Sequence, residues 1–316
     1  MPGVSAPAPA RERATGPPVE RGRVVALVLH YERPQGALAC VRSLLRSAHP
    51  SYEIAVVDNG SSAAVLTELE SGLAGHVGVT LVRVSPNRGY TGGVNAAFRH
   101  ALTTRAEFAW LLADDTRVDA QTMAALVQAL RAEPGVGIAA ALTLYSNIAE
   151  RIWFAGGLVG GDRLGRATHR GLNEANMGQY EAGPVDFANG SSLFARREVI
   201  ERIGGLDETY FTYWEDVDWC ARAAEAGFGT WFVPGAHVWH EVTPDTEARY
   251  DRARVYDARN RMIWHARHRR ARLPLVLLST LAAVPLLALR GRAHEARLQW
   301  KGVLAFLAGS KGRMDA

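Results

Sequence analysis

The sequence predicts an α/β protein built on a mostly parallel sheet that is covered on both faces. Three observations predict it. The strand-length runs are apolar throughout rather than alternating, as in strands buried on both sides. They alternate with helix-length segments. Polar and glycine-rich turns gather just past the C-terminal ends of the strands, the edge at which open α/β sheets bind ligands.

The first run, RVVALVLH over 23–30, reads as a buried strand, and residues 35–48 as an amphipathic helix. EIAVV (53–57) is a second strand ending in Asp58-Asn59-Gly60-Ser61-Ser62. A helix over 63–74 leads to VTLVRV (79–84), and the turn SPNRGYTGG opens a helix over 92–104. EFAWLL (107–112) runs into Ala113-Asp114-Asp115-Thr116, followed by a helix over 120–132 and the apolar run GIAAAL (137–142). Residues 145–190 are irregular and Gly-rich, with the character of loops, short hairpins and a lid. Regular structure resumes with VDFANGSSLFA (185–195) and helices over 197–203 and 215–227. TWFV and AHVWH read as two short strands, and residues 247–272 as a basic helix.

The 316 residues suffice for one large or two modest domains, with 48% hydrophobic and 22% charged residues marking an ordinary globular chain. Two distant cysteines, Cys40 and Cys220, offer neither a disulfide framework nor a CxxC metal site, which fits a reducing, cytoplasmic setting. Residues 1–22 have no apolar signal-peptide core and read as a disordered tail. A main domain is expected over 23–245 and a helical extension over 246–316. Residues 249–272 hold nine Arg and two Asp, whereas the whole chain carries only +4, so the remainder is slightly acidic. Basic charge confined to one segment argues against a nucleic-acid binder and suits an anionic membrane surface or a phosphate-bearing partner. Residues 273–289 (LPLVLLSTLAAVPLLAL) are uncharged over 17 residues, the lower end of spanning length, and contain Pro274 and Pro285. Peripheral attachment, a packed helix and a true span all remain open for them.

Asp114-Asp115 follows a strongly apolar strand. Paired carboxylates there suit a divalent cation that in turn holds a diphosphate, although a polar helix-capping turn has the same composition. Glu215-Asp216-Val217-Asp218 opens a helix after the aromatic run Tyr210–Trp214. Acidic residues favour a first helical turn through the helix dipole; they also supply a base for a sugar hydroxyl, beside an aromatic shelf for the ring. His240 ends a segment rich in Trp and Phe and reads either as a structural histidine or as a metal ligand favouring Mn²⁺ over Mg²⁺. The turn around Asn87–Asn95 is neither a P-loop nor a dinucleotide fingerprint.

Taken in order, the motifs resemble family 2 glycosyltransferases, inverting enzymes of the GT-A fold, and most closely their bacterial rhamnosyltransferase-type branch. The residues carrying the resemblance are Val28–Glu32, Val57–Ser62, Asn87–Tyr90, Gly92–Asn95 and Leu111–Asp115. They continue with Phe187–Ser191, Gly204–Glu208, Tyr213–Asp218 and Val238–His240, so that the likeness spans 23–265. It implies that Asp58 hydrogen-bonds the donor base with Tyr31 and Glu32 nearby, and that Asn87, Gly89 and Gly93 line the nucleotide pocket. It further implies Asp115 as the main metal ligand of a DXD-type motif for Mn²⁺ or Mg²⁺, with Asp114 beside the nucleotide sugar and His240 completing the metal or diphosphate shell. Asp216 becomes the general base and Glu215 orients the acceptor. Ala113 departs from the pattern, because many relatives carry Asp or Asn at that position. The implied partners are a nucleotide-diphosphate sugar and a glycan or lipid-linked acceptor, in bacterial cell-surface polysaccharide synthesis at the inner face of the membrane.

Two rival readings stand beside this one. A sugar-phosphate nucleotidyltransferase needs a Gly-rich, basic loop after the first strand, and His30-Tyr31-Glu32-Arg33-Pro34 offers none. A non-catalytic carbohydrate-binding subunit would have no use for Asp115, Asp216 and His240 together.

Overall fold

The structure, a computed structural model, describes residues 17–148, 150–160, 165–242 and 247–314. In chain order its first half runs β1 (Glu20–His30), α1 (Pro34–Leu44), β2 (Tyr52–Asp58), α2 (Ala63–Leu73), β3 (Val79–Arg83), α3 (Gly89–Thr103), β4 (Ala106–Ala113), β5 (Thr116–Val118), α4 (Thr122–Ala132) and β6 (Val136–Tyr145). There follow the short strands β7 (Ile152–Phe154), β8 (Gly157–Val159), β9 (Ala167–His169) and β10 (Gly183–Val185), then β11 (Ser192–Arg196), α5 (Arg197–Ile203), α6 (Glu215–Glu225) and β12 (Gly229–His240). Three helices close the chain: α7 (Glu247–His268), α8 (Leu273–Leu289) and α9 (Ala293–Leu307), with a 3₁₀ turn over Arg270–Arg272.

Eight of the strands form the path β10-β12-β6-β11-β4-β1-β2-β3, with β5 added to β12 and β7 to β6. β3, β2, β1 and β4 are mutually parallel, β11 is antiparallel between β4 and β6, and β12 returns parallel to β6. Period-two geometry divides each apolar run between two cores. Val24, Ala26 and Val28 pack with Ile54, Phe108 and Trp110 against α1 and α4. Val25 and Leu27 pack with Ala55, Val57 and Leu111 against α3, α5 and α6 on the other face. Both faces are filled, which is why the runs carry no polar alternation.

The structure redraws several expected boundaries. β1 begins at Glu20, whose amide donates to Arg105 O at 2.7 Å, so the last three residues of the expected tail are strand; residues 1–16 lie outside the described residues. TWFV and AHVWH are one continuous strand, β12, whose register against β6 shifts between Val233 and His237 around Pro234, a residue that cannot donate to the ladder. The irregular stretch contributes β7 to β10, and Phe154 and Phe187 are fully buried in the core of the α3 face. α8 spans the uncharged run, and Met262, Val276 and Val303 join α7, α8 and α9 in a small core of their own. α7 also enters the main body, because its Trp264 belongs to the large core cluster.

Candidate active site

β1 ends at His30, β2 at Asp58 and β4 at Ala113, so the Asp114-Asp115 turn emerges from the same edge as the Asp58 loop. β5 then folds back onto β12 and pairs Thr116 with His240. This small antiparallel contact, with Glu241 N donating to Asp115 O at 2.8 Å, brings His240 Nε2 to 3.1 Å from Asp115 Oδ1. Asp115 Oδ1 and His240 Nδ1 have no hydrogen-bond partner among the described residues. A carboxylate oxygen and an imidazole nitrogen 3.1 Å apart in the lining of one cavity are a donor set that fits a divalent cation such as Mn²⁺, which would replace their direct contact. No group of three or more His, Cys, Asp or Glu side chains with metal-binding geometry occurs among the described residues, so a cation here needs oxygens from a ligand or water.

Arg33, His30 and His240 surround this first acidic pair. Arg33 Nη1 donates to Asp115 Oδ2 at 3.1 Å and lies 3.8 Å from Asp114 Oδ1. His30, fully buried, donates from Nδ1 to Asp114 Oδ2 at 3.1 Å, and its Nε2 lies 3.9 Å from Asp58 Oδ1. Burial works against ionisation of Asp115, but His240 and Arg33 outweigh it and hold its carboxyl below the usual aspartate value.

The second pair, Glu215 and Asp216, opens α6 after a loop of unusual backbone. Phe211, Tyr213 and Trp214 take positive φ values of 64, 62 and 74°, a region that non-glycine residues enter at a cost of about 1–3 kcal/mol. α7 holds this loop. Buried Asn260 donates from Nδ2 to the carbonyls of Tyr210, Thr212 and Tyr213 at 3.1, 2.8 and 2.7 Å. Buried Arg259 donates from Nη2 to Thr209 O and Tyr210 O at 3.1 and 3.0 Å. Such bonds contribute about 1 kcal/mol each, enough together to offset strain of this size.

Asp216 accepts from Gly190 N on Oδ2 at 2.9 Å and from Val217 N on Oδ1 at 2.8 Å. Glu215 is buried, and its Oε2 has no hydrogen-bond partner among the described residues. Burial, reinforced by the Asp216 charge, pushes the Glu215 pKa well above the normal glutamate value. Burial raises Asp216 as well, but the Gly190 and Val217 amides oppose the rise. The proton of the pair therefore rests on Glu215, and Asp216 is the group that ionises. Gly190 has no room for a side chain: a Cβ would sit 2.1 Å from the Tyr90 hydroxyl, which donates to Gly190 O at 2.8 Å.

Asp115, His240 and the stretch Tyr213 to Asp216 all line one cavity of about 610 Å³. A second cavity of about 770 Å³ adjoins it, lined by Tyr31, Arg33, Asn87, Gly89 and Asp114 among others. Tyr90, Ala113, Phe211 and Arg252 line both. The structure thus brings Asp115, His240, Glu215 and Asp216 to the first cavity, and Tyr31, Asn87, Gly89 and Asp114 to the second.

Three expected site residues line neither. Asp58 is buried, and its Oδ2 accepts from Gly60 N and Ser61 N at 3.2 Å, so it shapes the loop after β2. Glu32 accepts from Ser62 N at 2.6 Å and ties the first loop to the second. Gly93 lies inside α3, where a Cβ would come within 2.8 Å of Leu29 Cδ1. Arg33, Trp153, His169 and Arg252 were not anticipated. Trp153 stacks edge-on against both His240 and His169, with centroids 4.4 and 4.6 Å apart. Burial pushes the His169 pKa down to about 4, so this ring is a neutral part of the wall. Arg33 directly follows Glu32, and its neighbourhood to Asp115 is a long-range contact that local sequence does not signal.

Comparison with known proteins gives the family and the fold of the chain. The chain is 29% identical over 271 residues to the uncharacterized protein y4gI of Sinorhizobium fredii, covering 80% of this chain and 29% of that protein. It is 43% identical over 63 residues to the N-acetylglucosaminyl-diphospho-decaprenol L-rhamnosyltransferase of Mycobacterium tuberculosis, a fifth (20%) of each chain. The matches thus span less than a third of either relative's length. Among solved structures, the mannosyltransferase PcManGT of Pyrobaculum calidifontis, in complex with GDP-Man and Mn²⁺, superposes with a TM-score of 0.60 at 17% identity, over 94% of this chain and 91% of that one. That likeness shows the fold, and the fold is GT-A. Residues 22–259 match the family model described as "Glycosyltransferase like family 2", and the chain belongs to that family.

Proposed function

We propose that this chain transfers a sugar, with inversion, from a nucleotide-diphosphate sugar to a hydroxyl of a glycan or lipid-linked acceptor. One observation carries the reading: Asp115, His240, Glu215 and Asp216 line one cavity, which adjoins a second cavity at the strand ends. The second cavity takes the nucleotide, against Tyr31, Asn87 and Gly89, and the shared wall at Ala113 and Tyr90 takes the junction of diphosphate and sugar. Asp58 and Glu32 act one layer behind, by fixing the loops that carry these residues.

Asp115 and His240 would hold Mn²⁺ or Mg²⁺, which supplies neutralising charge at the leaving diphosphate. Asp216 accepts the proton of the acceptor hydroxyl as its oxygen bonds to the anomeric carbon. The bond from that carbon to the diphosphate breaks on the opposite face, so the configuration inverts. Glu215, protonated, presents no second negative charge to the incoming oxygen. Tyr90, whose phenol pKa is driven up by burial and the nearby carboxylates, stays a neutral donor that fixes Gly190 and through it Asp216.

Rhamnose as the sugar and a polyprenyl-diphosphate acceptor are supported by the name of the mycobacterial relative. Work at the inner face of the cell membrane is supported by α8 and α9. The helical segment Arg270–Leu289 is long and apolar enough to cross a membrane, and only 11% of it is buried. Leu275, Leu278, Leu286 and Leu289 on α8 and Trp300, Leu304 and Leu307 on α9 are exposed, flanked by Arg270, Arg272 and Arg290. An apolar face rimmed by arginines suits an anionic leaflet, with the helices lying on it.

The test is a thermal-shift panel of dTDP-, UDP- and GDP-sugars with and without Mn²⁺. A donor that binds the folded chain raises the melting midpoint, by more when Mn²⁺ is present. No response to any nucleotide-diphosphate sugar would overturn the reading.

A further inference from the structure

A third cavity, of about 320 Å³, opens where α7 meets α8, and its lining is unlike that of the other two. Arg166, Arg254, Arg261 and Arg290 contribute to it, and Asp257 is the one acidic residue in its lining. Nearby Glu295 pairs with Arg254, so four arginines stand against two carboxylates. Arg261 is only 6% exposed, and its Nη2 donates to Thr280 Oγ1 at 2.9 Å. Its Nε has no hydrogen-bond partner among the described residues. A buried guanidinium N–H without an acceptor is unfavourable, and an anionic oxygen is the partner that best satisfies it.

Two further features define what that anion is attached to. Leu286 and Leu287 form one edge of the cavity, continuous with the exposed apolar face of α8. Asp257 lines both this cavity and the large one holding Asp216, and it accepts from Trp214 Nε1 at 2.8 Å. The cavity therefore has a basic interior, an apolar exit and a boundary shared with the active site. A free nucleotide matches the interior and not the exit, while a simple hydrocarbon matches the exit and not the interior.

Resting on the lipid-linked acceptor reading, we propose that this cavity seats the diphosphate of that acceptor. Its hydrocarbon chain leaves along α8, and its sugar passes Asp257 to reach Asp216. Arg261 and Arg254 contact the phosphate oxygens from within, and Arg290 and Arg166 from the rim. The acceptor diphosphate and the donor diphosphate then occupy different cavities, on opposite sides of the transferred sugar.

The test is calorimetric titration of the full chain with farnesyl diphosphate, inorganic pyrophosphate and farnesol, before and after saturation with a nucleotide diphosphate and Mn²⁺. Farnesyl diphosphate is expected to bind most tightly and to keep binding when the nucleotide is present. The double variant R166E/R290E, altered only at exposed positions, is expected to weaken it at least about tenfold while nucleotide binding is unchanged. Displacement of farnesyl diphosphate by the nucleotide, equal affinity for pyrophosphate alone, or an unaffected double variant would overturn the proposal. Nucleotide binding that persists in those cases leaves the transferase reading standing. Farnesyl diphosphate binding that is lost in the variant, in a chain that binds no nucleotide, would instead remove the transferase reading and keep the lipid-diphosphate seat.

Discussion

Asp114 and Asp115 sit among His30, Arg33 and His240, whereas no cation pairs with Glu215 or Asp216 among the described contacts. The first pair arrives on a strand end and the second on the first turn of a helix, and Asp115 of the first lines one cavity with both members of the second. Burial opposes ionisation at both places. Compensation by nearby positive groups decides the outcome, lowering the Asp115 pKa and leaving those of Glu215 and Asp216 raised. One site is prepared to be anionic before any cation arrives. The other keeps a proton on Glu215, while the amides of Gly190 and Val217 favour the ionised form of Asp216. Two acidic dipeptides of similar composition thus become an anchor and a base through what surrounds them.

Replacing the base should have the largest effect. Asp216→Asn is expected to lower kcat by roughly 10²–10⁴ while the donor still binds, a split that steady-state kinetics with separate donor titration would resolve. Because the Asp216 pKa is raised, the unmodified enzyme should lose activity on the acid side at a higher pH than an ordinary aspartate would dictate. A kcat within threefold of the unmodified chain would end the contrast between the pairs.

Replacing the anchor should cost less and should fail in a different way. Asp115→Asn keeps the side-chain volume but removes the charge that Arg33 and His240 compensate. Its activation by Mn²⁺ should shift to at least about tenfold higher concentration, since even partners outside the coordination shell are worth 10–100-fold. The measurement is activity against free Mn²⁺. An unchanged activation curve would place any cation away from Asp115.

The smallest effect is a gain. Glu215 has a folded pKa above its unfolded one, so its contribution to stability is complete below the ordinary glutamate pKa of about 4.3 and is lost as pH rises toward the folded value. Glu215→Gln removes that loss. The melting midpoint at neutral pH should rise by roughly 1–2 °C, the shift that about 1 kcal/mol produces in a chain of this size, and should not rise at acid pH. A uniform shift at all pH values would mean that burial of the charge is not the cause.

Much of this was legible in residue order. The unbroken apolar runs at 23–30, 53–57 and 107–112 required strands covered on both faces, and the polar turns after them had to gather at one edge. The helix over 197–203 and the uncharged run 273–289 matched their elements residue for residue. Local composition carries that information because periodicity and burial act over a few residues.

Tertiary contacts supplied the rest. β5 has three residues and no signal of its own, yet its pairing with β12 puts His240 beside Asp115 across more than a hundred residues of chain. Arg33 reads as loop charge until folding sets it against Asp115, and Asn260 reads as one polar residue in a basic helix until it takes three carbonyls of the 209–213 loop. Gly93 and Asp58 belong to recognisable motifs, but their positions beneath the cavities were fixed by packing against Leu29 and by the amides of Gly60 and Ser61. The primary structure set which groups the molecule has and which strands carry them. Their ionisation and their mutual distances came from long-range pairing, because a carboxyl takes its proton affinity from the charges and dipoles packed around it.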